Sequence, residues 1–273
     1  TPSIAATTSA AAPPVIARID LAGAIDTSTA LGNAFSAGNI RSATSSDGVN
    51  FWTAGSNGGI QYTTLGATTG VQLSTTPTNT RVVSIFAGQL YTSSATAAWQ
   101  GVSMIGTGLP ITNGQTTTLL SGFPTATGPS NYDYFFADAS TLYVADDRSN
   151  GSGGIQKWTE SGGLWTLQYT LVNTATTGCR GLSGVVNGGV VTLYATTTVT
   201  PLNTLVTVTD SGATSTFTTL ATAGTNTVFR GIRLIPLPSS VARIPNGCAA
   251  PTISFTGSGS LGASWGRGFH LDD

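Results

Sequence analysis

Four arginines recur at the head of similar short segments: Asn39-Ile40-Arg41-Ser42, Asn79-Thr80-Arg81-Val82, Gly178-Cys179-Arg180-Gly181 and Val228-Phe229-Arg230-Gly231. A fifth segment, Asn131-Tyr132-Asp133-Tyr134, carries Asp133 where the others carry Arg. Guanidinium groups bind carboxylates and sulfates through paired N–H donors. If the segment heads meet in space, Arg41, Arg81, Arg180 and Arg230 form an anion-binding funnel with Asp133 on its rim. The competing reading is structural, with each Arg satisfying carbonyls or Asp133 and locking neighbouring elements together. Only 8% of the chain is charged and Lys+Arg total 10, so four arginines at one recurring position concentrate what charge there is.

Other residues offer weaker chemistry. Asp146 and Asp147 precede a Gly-rich turn, and adjacent carboxylates of this kind can ligate Ca²⁺ beside backbone oxygens. The spacing lacks the alternating Asp pattern of an EF-hand, and turn capping with an Asp–Arg148 pair is the plainer reading. No cofactor is expected beyond that candidate calcium. Trp52, Trp99, Trp158 and Trp165 could stack on sugars, although their strand positions favour core packing. His270 is the single His and sits in the tail Gly266-Arg267-Gly268-Phe269-His270, without a nucleophile elbow to serve. Cys179 and Cys248 are the two cysteines, and a disulfide between them is expected in an oxidising compartment. Asn150-Gly151-Ser152 is a glycosylation sequon, meaningful in a eukaryotic source.

The elements that must hold these groups are strands. Short runs alternate apolar residues with Thr, Ser or Gln, as in Leu205-Val206-Thr207-Val208-Thr209, and Gly, Asn and Pro bound them. The runs repeat in fours. After each head segment comes a second strand containing Phe51-Trp52, Leu90-Tyr91, Leu142-Tyr143 or Leu193-Tyr194, then a third and a fourth. Four strands per unit at a period of roughly 40 to 52 residues predict an all-β propeller rather than a β-sandwich. Complete units span about 38–78, 79–128, 129–178 and 179–227. Residues 15–32 supply two strands resembling the third and fourth of a unit, and 228–237 supply one innermost strand. Five or six blades are expected, with a ring closed by strands from both termini or incomplete at the N-terminus. Residues 1–14 read as a low-complexity arm or loop, 15–237 as the propeller domain and 238–273 as a tail.

The formal net charge of −1 removes the basic excess that binding to nucleic acid by charge requires. Apolar stretches such as Val82-Val83-Ser84-Ile85-Phe86-Ala87 fall far short of the roughly 20 residues of a membrane helix.

The runs VIARIDLAGAIDTSTALGNAF, TNTRVVSIFAGQLYTSS, LYVADDRSNGSGGIQKW and TVFRGIRL resemble a family of secreted, Thr/Gly-rich, β-propeller-like proteins of bacteria and some algae. The similarity covers roughly residues 15–237. Family members look longer at the N-terminus, which implies a trimmed or incomplete six-bladed ring. The family has no established activity, so the resemblance implies fold and export without chemistry. The expected function is an extracellular structural or binding module of a cell surface or extracellular assembly, partnered by other extracellular proteins or glycans, with an anionic ligand or glycan at the channel mouth. The alternative is a propeller hydrolase or lyase acting on a glycan or lactone.

Overall fold

The computed structural model describes residues 4–20, 22–174, 177–199 and 202–234. Its regular structure is one three-residue 3₁₀ turn, Ile4–Ala6, and eighteen β-strands. None of its helices is long and apolar enough to cross a membrane. Strands β1 (Val15–Ile19) and β2 (Ile25–Ala30) pair only with each other. The remaining strands form four antiparallel meanders, each a blade. Blade 1 is β3 (Ile40–Thr44), β4 (Asn50–Gly55), β5 (Ile60–Thr64) and β6 (Val71–Ser74). Blade 2 is β7 (Val83–Phe86), β8 (Gln89–Ser94), β9 (Gly101–Ile105) and β10 (Thr117–Leu119). Blade 3 is β11 (Asn131–Asp138), β12 (Thr141–Asp146), β13 (Gly154–Ser161) and β14 (Leu164–Leu171). Blade 4 is β15 (Cys179–Asn187), β16 (Val190–Thr197), β17 (Thr204–Thr209) and β18 (Thr218–Thr222).

Strands follow one another within each sheet in chain order, because short turns join antiparallel neighbours. Gly162-Gly163 and Gly188-Gly189 show why some of these turns need glycine. Both residues of each pair have positive φ, the geometry whose twist matches that of the flanking strands. The second strands of blades 1 and 3 are deeply enclosed: five of the six residues of β4, and of β12, are buried. The β1–β2 hairpin and blade 2 flank β4, and blades 2 and 4 flank β12, so these strands read as apolar or small-polar runs rather than strict alternation.

The core is divided among the junctions. Trp52, Ile60, Leu73, Val83, Leu90 and Ile105 fill the space between blades 1 and 2. Between blades 2 and 3, Phe123 stacks on Trp158 at 4.1 Å and Phe86 on Phe136 at 4.5 Å. Tyr143, Leu171, Cys179, Leu182 and Val206 pack between blades 3 and 4. Ile16, Leu31, Phe35 and Phe51 attach the β1–β2 hairpin to blade 1. Residues 4–14 are tied down beside it, with Ser9 buried and its hydroxyl donating to Gly32 O at 2.9 Å.

The blade count corrects the sequence expectation. Among the described residues there are four four-stranded blades, where five or six were expected, and they do not close a ring. The strands expected to form a composite blade do not share a sheet. β1 and β2 sit against blade 1, whereas residues 228–234 run along blade 4 without strand pairing. There Phe229 N donates to Asn203 Oδ1 at 2.7 Å, and Thr196 donates from its hydroxyl to Arg230 O at 3.2 Å. The backbone of this segment thus bonds to side chains of blade 4 and the Arg233 side chain to Asp133 and Leu182 O, and among the described residues no further strand extends it into a ladder.

Candidate functional site

Strand register decides which side chains face one another at the mouth. In blades 1, 3 and 4 the first residue of the innermost strand pairs with the last of the second: Ile40 with Gly55, Asn131 with Asp146, and Cys179 with Thr197. The next residue is then Arg41, Tyr132 or Arg180. In all three blades the ladder breaks at that residue, with a register shift following the first pair. A bulge of this kind re-aims a side chain out of the ladder. Arg81 stands just before β7, its N–H bonded to Ser93 O at 2.9 Å. The recurring position is therefore held by Arg41, Arg81, Tyr132 and Arg180. Asp133, which the sequence alignment set at this position, lies one residue further along.

Two of the four arginines converge on blade 3, and a third stands within electrostatic reach of them. Arg81 and Arg180 lie over the Tyr132 ring, 4.6 and 5.2 Å from its centroid. Both donate to Asp147 Oδ2, each at 3.1 Å, so one carboxylate bridges blades 2, 3 and 4. Arg81 also reaches Ser130 Oγ at 3.3 Å. Arg41 crosses from blade 1 to Asn79 Oδ1 at 2.5 Å and Thr80 O at 2.8 Å. Burial lowers the affinity of the Arg41 guanidinium for its proton, Arg81 adds to this, and Tyr132 and Asp147 oppose it. These couplings place Arg41 in the same electrostatic cluster. The buried Arg180 Nε has no hydrogen-bond partner.

The remaining sequence candidates divide between separate environments. Arg230 is exposed, and it joins the fold through its carbonyl rather than its guanidinium. Asp133 is buried and saturated. Arg233 donates to both its oxygens, at 2.8 and 3.1 Å, and the N–H groups of Leu182 and Tyr134 donate at 2.9 Å each. Asp146 is fully buried and accepts from Arg148 Nη2 at 2.6 Å and Gln156 Nε2 at 3.2 Å. A Ca²⁺ at Asp146 and Asp147 would have to displace guanidinium groups already bound there. Among the described residues no group of three or more His, Cys, Asp or Glu side chains stands together. Asn150 lies on an exposed turn. Cys179 is a fully buried free thiol among the described residues, pushed up to about 12 by burial and by Asp146. Cys248 and His270 lie outside the described residues.

A second polar cluster has no signal in the sequence. Asp210, just after β17, reaches across to blade 3, where Lys157 Nζ donates to it at 2.8 Å and the Tyr169 hydroxyl at 2.7 Å. The Tyr143 hydroxyl completes the set. Burial would raise the Asp210 carboxyl, but donors from Lys157, Tyr143, Tyr169 and Gly212 outweigh it and hold it at about 2. In the sequence, Asp210-Ser211-Gly212 reads only as a turn, a role it also fills through Gly212 N on Asp210 Oδ1 at 3.0 Å.

Trp52, Trp158 and Trp165 are buried and each contacts another ring. Trp99 is half-buried and contacts no ring among the described residues.

No protein-family model matches the chain, and no curated protein matches it. Among solved structures it is similar to YCF48 from Cyanidioschyzon merolae, at 14% identity and a TM-score of 0.42. The match covers 72% of this chain, which spans only 60% of the length of that one.

Proposed function

We propose that the chain is an extracellular binding module whose mouth takes an anionic group, a carboxylate or sulfate of an acidic glycan. The observation that carries this reading is the charge imbalance around Tyr132. Arg41, Arg81 and Arg180 gather there from three blades, and the one carboxylate paired among them, Asp147, is bound by Arg81 and Arg180. Each guanidinium has five N–H donors, and the bonds to Asp147, Ser130, Asn79 and Thr80 leave several unused. Their half-buried setting weakens solvent screening and strengthens attraction for an anion. The sparse charge elsewhere and the Thr-rich exterior support an extracellular setting.

The test is calorimetric titration with trigalacturonate and with a sulfated heparin hexasaccharide. Binding is expected to weaken with added salt and to fall at least about tenfold in Arg41→Ala. That variant removes contacts to neutral groups only, so its fold is expected to survive. Equal binding by wild type and Arg41→Ala, or no binding of either probe, would remove the proposal.

A further inference from the structure

Beyond the mouth, the structure contains a second surface with a different chemistry. A groove of about 620 Å³ runs between β6 of blade 1 and the 106–116 connection of blade 2. It lies within the roughly 300–1,000 Å³ range of small-ligand sites. Gln72, Thr75, Trp99, Asn113 and Gln115 are among its lining residues, and none of the lining residues is charged. In a protein that builds its mouth from arginines, this absence sets the ligand class.

Trp99 separates the groove from ordinary core. The other three described tryptophans are packed against rings, and Trp52 and Trp158 also use their indole N–H groups, on Pro110 O at 2.7 Å and Gln156 Oε1 at 3.0 Å. Trp99 is half-buried, has no ring neighbour and has no partner for its Nε1 among the described residues. Asn113 and Thr75 likewise have unpartnered side chains. Gln72 uses its amide nitrogen on Gly58 O at 2.8 Å, leaving its oxygen to accept. The groove thus offers an aromatic face, an indole donor, amides and hydroxyls.

The walls are braced before any ligand arrives. Gln115 N donates to Leu73 O at 2.8 Å, and Ser74 and Thr117 join hydroxyls at 2.7 Å across the two blades. Beyond the groove the same connection is held where Trp52 Nε1 donates to Pro110 O at 2.7 Å and Gly108 N to Gln89 Oε1 at 2.7 Å. Bracing lowers the ordering cost of binding.

We infer that this groove is a binding site for a neutral oligosaccharide, with Trp99 as the stacking platform and Gln72 and Asn113 as partners for sugar hydroxyls. An uncharged lining admits a ligand that needs no counter-charge. Amides both donate and accept, which suits hydroxyls that do the same. The apolar face of a pyranose ring matches the exposed part of an indole, as in other aromatic recognition sites. This inference is independent of the anionic mouth, since it shares no residue with it.

The experiment records the indole N–H resonances of ¹⁵N-Trp-labelled protein during titration with cellohexaose, chitohexaose and mannohexaose. The expected result is a saturable shift of the Trp99 signal, assigned by its loss in Trp99→Phe, with at least one of the three. Asn113→Ala, on a solvent-facing turn, is expected to weaken that sugar about tenfold or more while leaving Tm unchanged. Arg41→Ala is expected to bind it as wild type does. Absence of a Trp99 shift with all three sugars would overturn the inference. So would an unchanged affinity in both Trp99→Phe and Asn113→Ala, or loss of neutral-sugar binding in Arg41→Ala alone.

Discussion

Replacing Asp147 with Asn separates a structural role of the mouth from a binding one, because the two give effects of opposite sign. The Asp147 side chain is 11% exposed and its partners Arg81 and Arg180 are 19% and 26% exposed. This sets the bridges between screened surface pairs, worth about 0–1 kcal/mol, and buried pairs whose rupture costs about 3–5 kcal/mol. Asp147→Asn keeps the shape and removes the charge shared by both arginines. A loss of about 2–3 kcal/mol follows, or roughly 4–12 °C in Tm for a chain of this size. Anion affinity should move the other way. Removing a negative charge ~6 Å from a bound anion, at an effective dielectric of ~40, is worth ~1.4 kcal/mol, a tenfold gain in affinity. Thermal melts and trigalacturonate titrations of the two proteins, at low and at 0.15 M salt, read both quantities. The gain should shrink at the higher salt, where the Debye length is about 8 Å. A destabilised variant with unchanged or weaker anion affinity would refute the binding argument and leave only the inter-blade bridge.

Other outcomes follow from the same geometry. Arg233→Ala strands the buried Asp133 carboxylate with only backbone donors and is expected to cost about 3 kcal/mol by chemical denaturation. Arg233→Lys should restore part of this but not the two-oxygen grip. Asp210 has a folded-state pKa held at about 2, below its ordinary 3.8, so its contribution is present above pH 3.8 and is lost as pH falls towards 2. The stability gap between wild type and Asp210→Asn should therefore close by about 1–2 kcal/mol between pH 5 and pH 2, after allowance for solvent screening. Gly122→Ala would put a Cβ 1.9 Å from Trp165 O at a φ of +101°. It is expected to cost about 2–3 kcal/mol in urea melts by disturbing the Trp165 N to Ser121 O bond between blades 2 and 3.

The strands were legible because their periodicity is local. Thr alternation, the Gly-bounded turns and the recurring apolar pairs appear within a few residues of each other, and each became part of a four-stranded meander. The recurring Arg was also legible, and Arg81 and Arg180 do meet. Its place in blade 3 was misjudged by one residue. Alignment by the Asn–x–Arg spacing selected Asp133, whereas the ladder starts at Asn131 and gives the position to Tyr132. A bulge changes how many residues fill a position without changing composition, so spacing alone could not locate it. Sequence offers Asp147 as a calcium ligand because it does not say which cations approach from other blades. The Asp133–Arg233 and Asp210–Lys157 pairs join residues 100 and 53 positions apart and carry no motif. Blade count failed for a related reason: β1, β2 and residues 228–234 resemble blade strands locally, but pairing is decided by neighbours that local pattern does not reveal.

The break in the ladder at Arg41, Tyr132 and Arg180 separates the mouth from the scaffold that holds it. A side chain at the break takes no part in the strand ladder, and blade 3 carries an aromatic phenol where its neighbours carry guanidinium. The same backbone frame therefore carries different side chains at this position in different blades. Exchange is freest at Arg41, which holds only neutral groups, whereas Tyr132 is buried in the core and Arg81 and Arg180 tie three blades together through Asp147.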